Sequence, residues 1–177
     1  DEYLDVLELE IRRRAPLFAG RHVSQMHWGG GTPTYLDEAQ IGRLMALLRE
    51  QFAFEEQAEL SLEVDPREIG LDILDRLRAE GFNRLSMGVQ DFDKDVQRLV
   101  NREQDEAFIF SLIERAKALG FSSTNIDLIY GLPRQTPESF AFTLQRVVEL
   151  APHRLSVFNY AHLPHLFAAQ RKIKETD

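Results

Sequence analysis

Apolar residues recur along this chain in two alternating rhythms, one helical and one of strand type. Leu4, Leu7 and Ile11 are spaced as on one helical face, and Arg12, Arg13 and Arg14 follow where cations complement the helix dipole. A helix is expected over most of residues 2–14. The stretch from Val23 to Trp28 has strand length and runs into Gly29-Gly30-Gly31-Thr32-Pro33, where successive glycines break any regular element. Asp37 and Gln40 form a capping-box pattern ahead of Ile41, Leu44, Met45 and Leu48. The same order then repeats. Leu60, Leu62 and Val64 alternate with Ser61, Glu63 and Asp65, Pro66 ends the strand, and Leu71, Leu74 and Leu77 carry a helix to Gly81. Leu85, Met87 and Val89 alternate with Ser86, Gly88 and Gln90, and a helix through Phe108, Leu112, Ala116 and Leu119 stops at Gly120. Ile126 and Leu128 alternate with Asn125 and Asp127 before Gly131-Leu132-Pro133, and Thr136 then caps a helix with Pro137 in its first turn. Leu155 to Tyr160 make the last strand.

Strands that alternate with helices in this way specify a parallel α/β fold, either an open doubly wound sheet or a partial (β/α) barrel. No linker or low-complexity segment interrupts residues 1–177, so one domain is expected.

The two faces of the middle strands differ in chemistry. Their apolar phase is continuous and must face the helices. The opposite phase, made of Ser61, Glu63, Ser86, Gly88, Gln90, Asn125 and Asp127, is small or polar. A dry lumen would charge this set about 1–3 kcal/mol for each unpaired group, so the pattern predicts a wet, ligand-bearing cavity at the strands' C-terminal mouths. Glu63 and Asp127 fit three roles there: ligand recognition, a glycosidase-like carboxylate pair, or carboxylates satisfied by loop amides. The glycine-rich turn after the first strand can bring its amides close to an anion, or can be a tight structural turn. It is neither a Walker loop nor a dinucleotide fingerprint. Arg102 lies between two helical patterns and suits a bidentate anion contact. His162 and His165 stand on either side of Pro164 without a third metal ligand and read as surface residues, and His27 beside Trp28 reads as packed.

Composition narrows the chemistry. The 177 residues include 29 acidic and 21 basic side chains, a net charge of −8, and no cysteine. An acidic balance argues against nucleic acid or an anionic membrane as general partners. Without cysteine, this chain offers no disulfide, no thiol nucleophile and no thiolate ligands for zinc or an iron–sulfur cluster. No apolar run approaches the ~20 residues of a membrane span and no secretory pattern opens the chain, so a cytosolic setting is expected. The chain opens at Asp1 directly in a helical pattern, as an excerpt would.

Five segments together carry a resemblance: His27 to Thr34, Glu63-Val64-Asp65-Pro66-Arg67-Glu68, Asn83 to Phe92, Val100-Asn101-Arg102, and Asn125-Ile126-Asp127-Leu128-Ile129-Tyr130-Gly131-Leu132-Pro133. In this order they resemble the oxygen-independent coproporphyrinogen III oxidases, radical S-adenosylmethionine enzymes of haem biosynthesis. The resemblance implies a partial, TIM-like barrel whose first strand and three-cysteine [4Fe–4S] loop would precede Asp1, with a C-terminal domain beyond Asp177. It implies cleavage of S-adenosylmethionine to a 5′-deoxyadenosyl radical and oxidative decarboxylation of two propionates of coproporphyrinogen III, giving protoporphyrinogen IX. It also implies an electron donor for the cluster, a monomeric parent protein and an inactive isolated fragment. Two S-adenosylmethionine sites follow from it, Gly30 and Glu63 in the first, and Gly31, Thr32, Gln90, Arg102, Asp127 and Ala161 in the second. A related haem chaperone shares the glycine turn, but Val-Asn-Arg-Glu-Gln around Arg102 favours the oxidase. A cluster-free binding module on the same barrel is the alternative from another class.

Overall fold

The computed structural model describes residues 2–173; Asp1 and residues 174–177, the ends of the expected domain, lie outside the described residues. Five parallel strands, β1 (His22–Trp28), β2 (Ala53–Val64), β3 (Arg84–Gln90), β4 (Ser123–Tyr130) and β5 (Arg154–Asn159), form one sheet in the order of the chain. The helices are α1 (Glu2–Arg14), α2 (Glu38–Gln51), α3 (Asp72–Ala79), α4 (Lys94–Leu99), α5 (Glu106–Ala118) and α6 (Pro137–Leu150). Sequential parallel pairing with a helical crossover between neighbours is the arrangement of an open (β/α) barrel segment.

Local chemistry sets the boundaries. Asp37 and Gln40 close the expected capping box on α2, with the Gln40 N–H donating to Asp37 Oδ1 at 2.8 Å and the Asp37 N–H to Gln40 Oε1 at 3.0 Å. Thr136 caps α6 by accepting from the Ser139 N–H at 3.2 Å, ahead of Pro137. Gly81, at φ +90°, ends the turn after α3, with the Phe82 N–H returning to Leu77 O at 3.0 Å. β2 begins earlier than its alternation suggests, at Ala53, and its register with β1 shifts between Val23 and Gln25.

The apolar phase faces the helices as expected. Leu62, Val64, Leu85, Met87, Val89, Ile126 and Leu128 are buried against Ile41, Met45, Leu74, Leu77, Ile109 and Leu112. Trp28 joins this core edge-to-face on Phe82, ring centroids 5.1 Å apart. On β5 the same phase is uncovered among the described residues, leaving Leu155 and Val157 about half exposed.

Asn83 ties three strands together below the site. Its Oδ1 accepts from the Leu60 N–H at 3.0 Å, its Nδ2 donates to Ala58 O at 2.8 Å, and its carbonyl accepts from the Ser122 N–H at 2.8 Å. Asn83→Ala keeps the backbone contact and removes both side-chain bonds, so it is expected to lower the unfolding free energy by about 1–3 kcal/mol. Urea denaturation checks this, and an unchanged midpoint contradicts it.

Candidate functional site

Parallel register brings the inward residues of separate segments into rows. Glu63 pairs with Ser86, Ser86 with Asn125, and Gly88 with Asp127. At the C-terminal ends of β1 to β4 these rows open into a cavity of about 220 Å³ lined by Gly30, Gly31, Thr32, Glu63, Gln90, Arg102 and Asp127, with Asp65, Ser86 and Gly88. Every residue expected at the site therefore meets there except Ala161. Ala161 is exposed just past β5, and its carbonyl accepts from Gln170 Nε2 at 3.0 Å. Its neighbour Tyr160 lines a larger adjoining cavity, about 650 Å³, which shares Gln90 and Arg102 with the first.

The glycine turn lies directly on Glu63. A Cβ on Gly29 would come within 2.6 Å of His27 Nε2 and 2.8 Å of Glu63 Oε1, distances no real Cβ tolerates. Gly30, at φ +105°, turns its N–H toward Glu63 Oε2 at 3.4 Å. The other carboxylate oxygen meets His27 Nε2 at 3.1 Å, and His27 Nδ1 meets Ser61 Oγ at 2.7 Å. His27 is thus not packed as its place beside Trp28 suggested. Its side chain is about half exposed on the inward face of β1, alternating with Met26 and Trp28, and it steadies Glu63. That alternation was the available signal.

Asp127 is held from its own strand and from β3. Asn125 Nδ2 donates to Asp127 Oδ1 at 2.7 Å and Ser86 Oγ donates to Oδ2 at 3.3 Å. Gln90 breaks the β3–β4 register and has φ 69°; its Oε1 is buried without a hydrogen-bond partner among the described residues, while its Nε2 would lie 2.9 Å from a Cβ on Gly88. A buried acceptor with no donor is costly, and a ligand N–H or O–H at the cavity removes that cost.

Arg102 reaches the cavity through a carboxylate that the sequence reading passed over. Arg67 Nη2 donates to Asp65 Oδ2 at 2.6 Å and Arg67 Nε to Oδ1 at 2.9 Å, and Arg102 Nη2 meets the same Oδ2 at 3.2 Å. Arg67 also donates to Asn101 O at 3.1 Å, which ties the β2 exit to the loop carrying Arg102. The hydrogen bonds from Arg67 outweigh burial and hold the Asp65 carboxyl below its ordinary range, with the Arg102 charge adding to the effect. A carboxyl lowered in the folded state contributes stability that is full above its unfolded value, near 3.9, and is lost as the pH falls through the folded value. Asp65→Asn is therefore expected to be less stable than wild type at neutral pH, with the gap closing as the pH falls below about 4. Urea midpoints from pH 7 to pH 2 check this, and a gap independent of pH contradicts it.

The sequence model of the Radical SAM superfamily matches residues 3–147. Oxygen-independent coproporphyrinogen III oxidase of Salmonella typhimurium is 78% identical over 177 residues, all of this chain and 39% of that protein. The Pseudomonas aeruginosa oxidase of the same name is 48% identical over 174 residues, 38% of its length. The chain thus spans about two fifths of the curated relatives it matches. Among solved structures, coproporphyrinogen III oxidase from Escherichia coli, described as a radical SAM enzyme, superposes with a TM-score of 0.96 at 77% identity, over 100% of this chain and 41% of that one. Methylornithine synthase, at 18% identity and a TM-score of 0.61, shares the fold. By the match over most of its length, this chain belongs to the radical SAM superfamily.

Proposed function

We propose that this chain is the cofactor-binding core of an oxygen-independent coproporphyrinogen III oxidase. The observation that carries the reading is the convergence of Gly30, Gly31, Thr32, Glu63, Gln90, Arg102 and Asp127 on one polar cavity, from segments distant in sequence. The 78% identity to the Salmonella typhimurium oxidase along the whole chain supports it.

The residues suit S-adenosylmethionine. Glu63, oriented by His27 and the Gly30 amide, offers carboxylate oxygens to ribose hydroxyls or an ammonium group. Arg102, positioned by Asp65, can grip a carboxylate, and Gln90 Oε1 supplies an acceptor that no group among the described residues uses. Asp127, with both oxygens already steered by Asn125 and Ser86, faces hydroxyl donors. We assign Gly30 and Glu63 to one cofactor molecule, and Gly31, Thr32, Gln90, Arg102, Asp127 and Ala161 to a second. When bound, the cofactor supplies hydrogen-atom abstraction. Each reacting propionate would give up a hydrogen atom, carbon dioxide and one electron, the last to an external one-electron acceptor, to become a vinyl group. The frameworks that hold Glu63 and Asp127 keep both carboxylates aligned toward the cofactor at the mouth.

An iron–sulfur cluster does not fit this chain's own residues. It has no cysteine, and among the described residues no group of three or more His, Asp or Glu could hold a metal ion. The thiolates of any cluster in the full-length protein accordingly lie outside these residues. The reading carries a cytosolic, monomeric parent protein with it. No helix among the described residues is long and apolar enough to cross a membrane.

Anaerobic reconstitution of the 177-residue chain with iron and sulfide is expected to leave no bound cluster absorption, and a stable cluster would overturn the ligand argument. The full-length protein, reconstituted with S-adenosylmethionine and a reductant, is expected to convert coproporphyrinogen III to protoporphyrinogen IX with release of carbon dioxide. Glu63→Ala should reduce this turnover about 10- to 100-fold, as the loss of a charged hydrogen bond implies. Mass spectrometry of the porphyrin products decides it: unchanged coproporphyrinogen in the wild type refutes the function, and full turnover by the variant refutes the role of Glu63.

A further inference from the structure

A second cavity, about 380 Å³, lies on the same inward face, nearer the N-terminal ends of the strands, and its chemistry differs from that of the mouth. Its charged side chains are Arg84, Arg154 and Glu59, with His27 at its border, and Ser86, Asn125 and Ser156 line it between them. The hydroxyls and the amide are engaged with each other: Asn125 Nδ2 donates to Ser86 Oγ at 2.9 Å and to Ser156 Oγ at 3.0 Å. Glu59 pairs with Arg84. Arg154 has no hydrogen bond or ion pair among the described residues.

Two guanidinium groups therefore border one concavity in which the only carboxylate among the lining residues is already paired with the half-buried Arg84, while Arg154 is exposed at its edge. Burial, and then the neighbouring Arg154 cation, push the Arg84 guanidinium down from its ordinary value, the direction that an added anion would reverse. An arginine fork facing a cavity without a protein partner matches the planar geometry of a carboxylate. The position constrains which carboxylate can come. Arg84 precedes Gly88 of the mouth by four residues, about 13 Å along a strand at about 3.3 Å per residue. A small acid bound at the mouth does not reach the arginines. A macrocycle with several carboxylates on its rim can present one at the mouth and another in the chamber.

We propose that the Arg84–Arg154 chamber is a carboxylate subsite that holds a non-reacting propionate of the tetrapyrrole. The inference rests on the functional reading above and deepens it by naming the residues that recognise the far side of the substrate. Arg154 supplies the free fork, and Arg84, shared with Glu59, supplies the second positive charge. The subsite fixes which propionates remain at the mouth, where the cofactor residues are.

Fluorescence titration of the full-length protein with coproporphyrin III, the oxidised and unreactive tetracarboxylate, tests this. Arg154→Gln is expected to raise Kd about 10- to 100-fold, and Arg154→Lys to recover part of the loss. The tetramethyl ester of the same porphyrin is expected to bind wild type weakly and to be indifferent to the substitution. Arg84→Gln should weaken acid binding in the same direction; if leaving Glu59 unpaired unfolds that variant, Arg154→Gln still decides, because Arg154 pairs with no carboxylate among the described residues. An Arg154→Gln protein with native circular dichroism and unchanged Kd, or an ester bound as tightly as the acid, overturns the subsite. If the wild type turns over coproporphyrinogen III and Arg154→Gln keeps its affinity, the subsite alone fails. A wild type that neither binds the porphyrin nor releases carbon dioxide overturns the functional reading and the subsite with it.

Discussion

The parallel register that sets Glu63 beside Ser86 and Gly88 beside Asp127 leaves those residues no choice of face. Side chains alternate every residue along a strand, so a slip of one position would turn Leu62, Leu85 and Ile126 into the lumen and the carboxylates into the core. Each of those three apolar side chains is at most 2% exposed, and the loss of their burial would outweigh anything a shifted ladder could offer. The helix-facing core thus fixes the polar face indirectly. The cavity is a by-product of a register that the apolar residues enforce.

That constraint places the strand residues, and the loops complete the site by backbone geometry. Gly29 lets the turn settle on Glu63, and Gly88 leaves room for the side chains of Gln90 and Arg102. Below the mouth, buried Asp91 accepts from Thr143 Oγ1 at 2.5 Å and from the Asp93 N–H at 2.7 Å, joining the end of β3 to α6 and to the start of α4. The Arg67 bridge to Asn101 O fixes the separate loop after α4, next to Arg102. A polar network satisfied in this way rigidifies the segment that carries it.

Much of this was legible in the sequence because period-two alternation and capping chemistry are local. The strands, the capping box at Asp37, the cap at Thr136, and the inward set from Ser61 to Asp127 follow from spacing alone. What escaped depends on contacts between distant segments. His27 looked packed because its neighbour Trp28 is, yet it lies on the opposite phase and steadies Glu63 across 36 residues of chain. Asp65 looked like a strand exit, and only the fold brings Arg102 to it over 37 residues. The early start of β2 was hidden by charged Glu55 and Glu56, which lower strand propensity without preventing pairing at Ala53 and Phe54. Arg84 and Arg154 belong to strands far apart in the sequence, and only the sheet sets them in one chamber. Ala161 entered only through resemblance, and no spacing in the chain would have singled it out.

The central claim is that the strand-mouth cavity binds S-adenosylmethionine through Glu63 on one side and Arg102 with Gln90 on the other. Equilibrium dialysis of labelled S-adenosylmethionine against the full-length protein, wild type and Arg102→Ala, tests it most directly. The account predicts two equivalents bound by wild type, with one of them weakened by about 1.5–3 kcal/mol in the variant, the range for a charged hydrogen bond. Identical stoichiometry and affinity in the two proteins would contradict it.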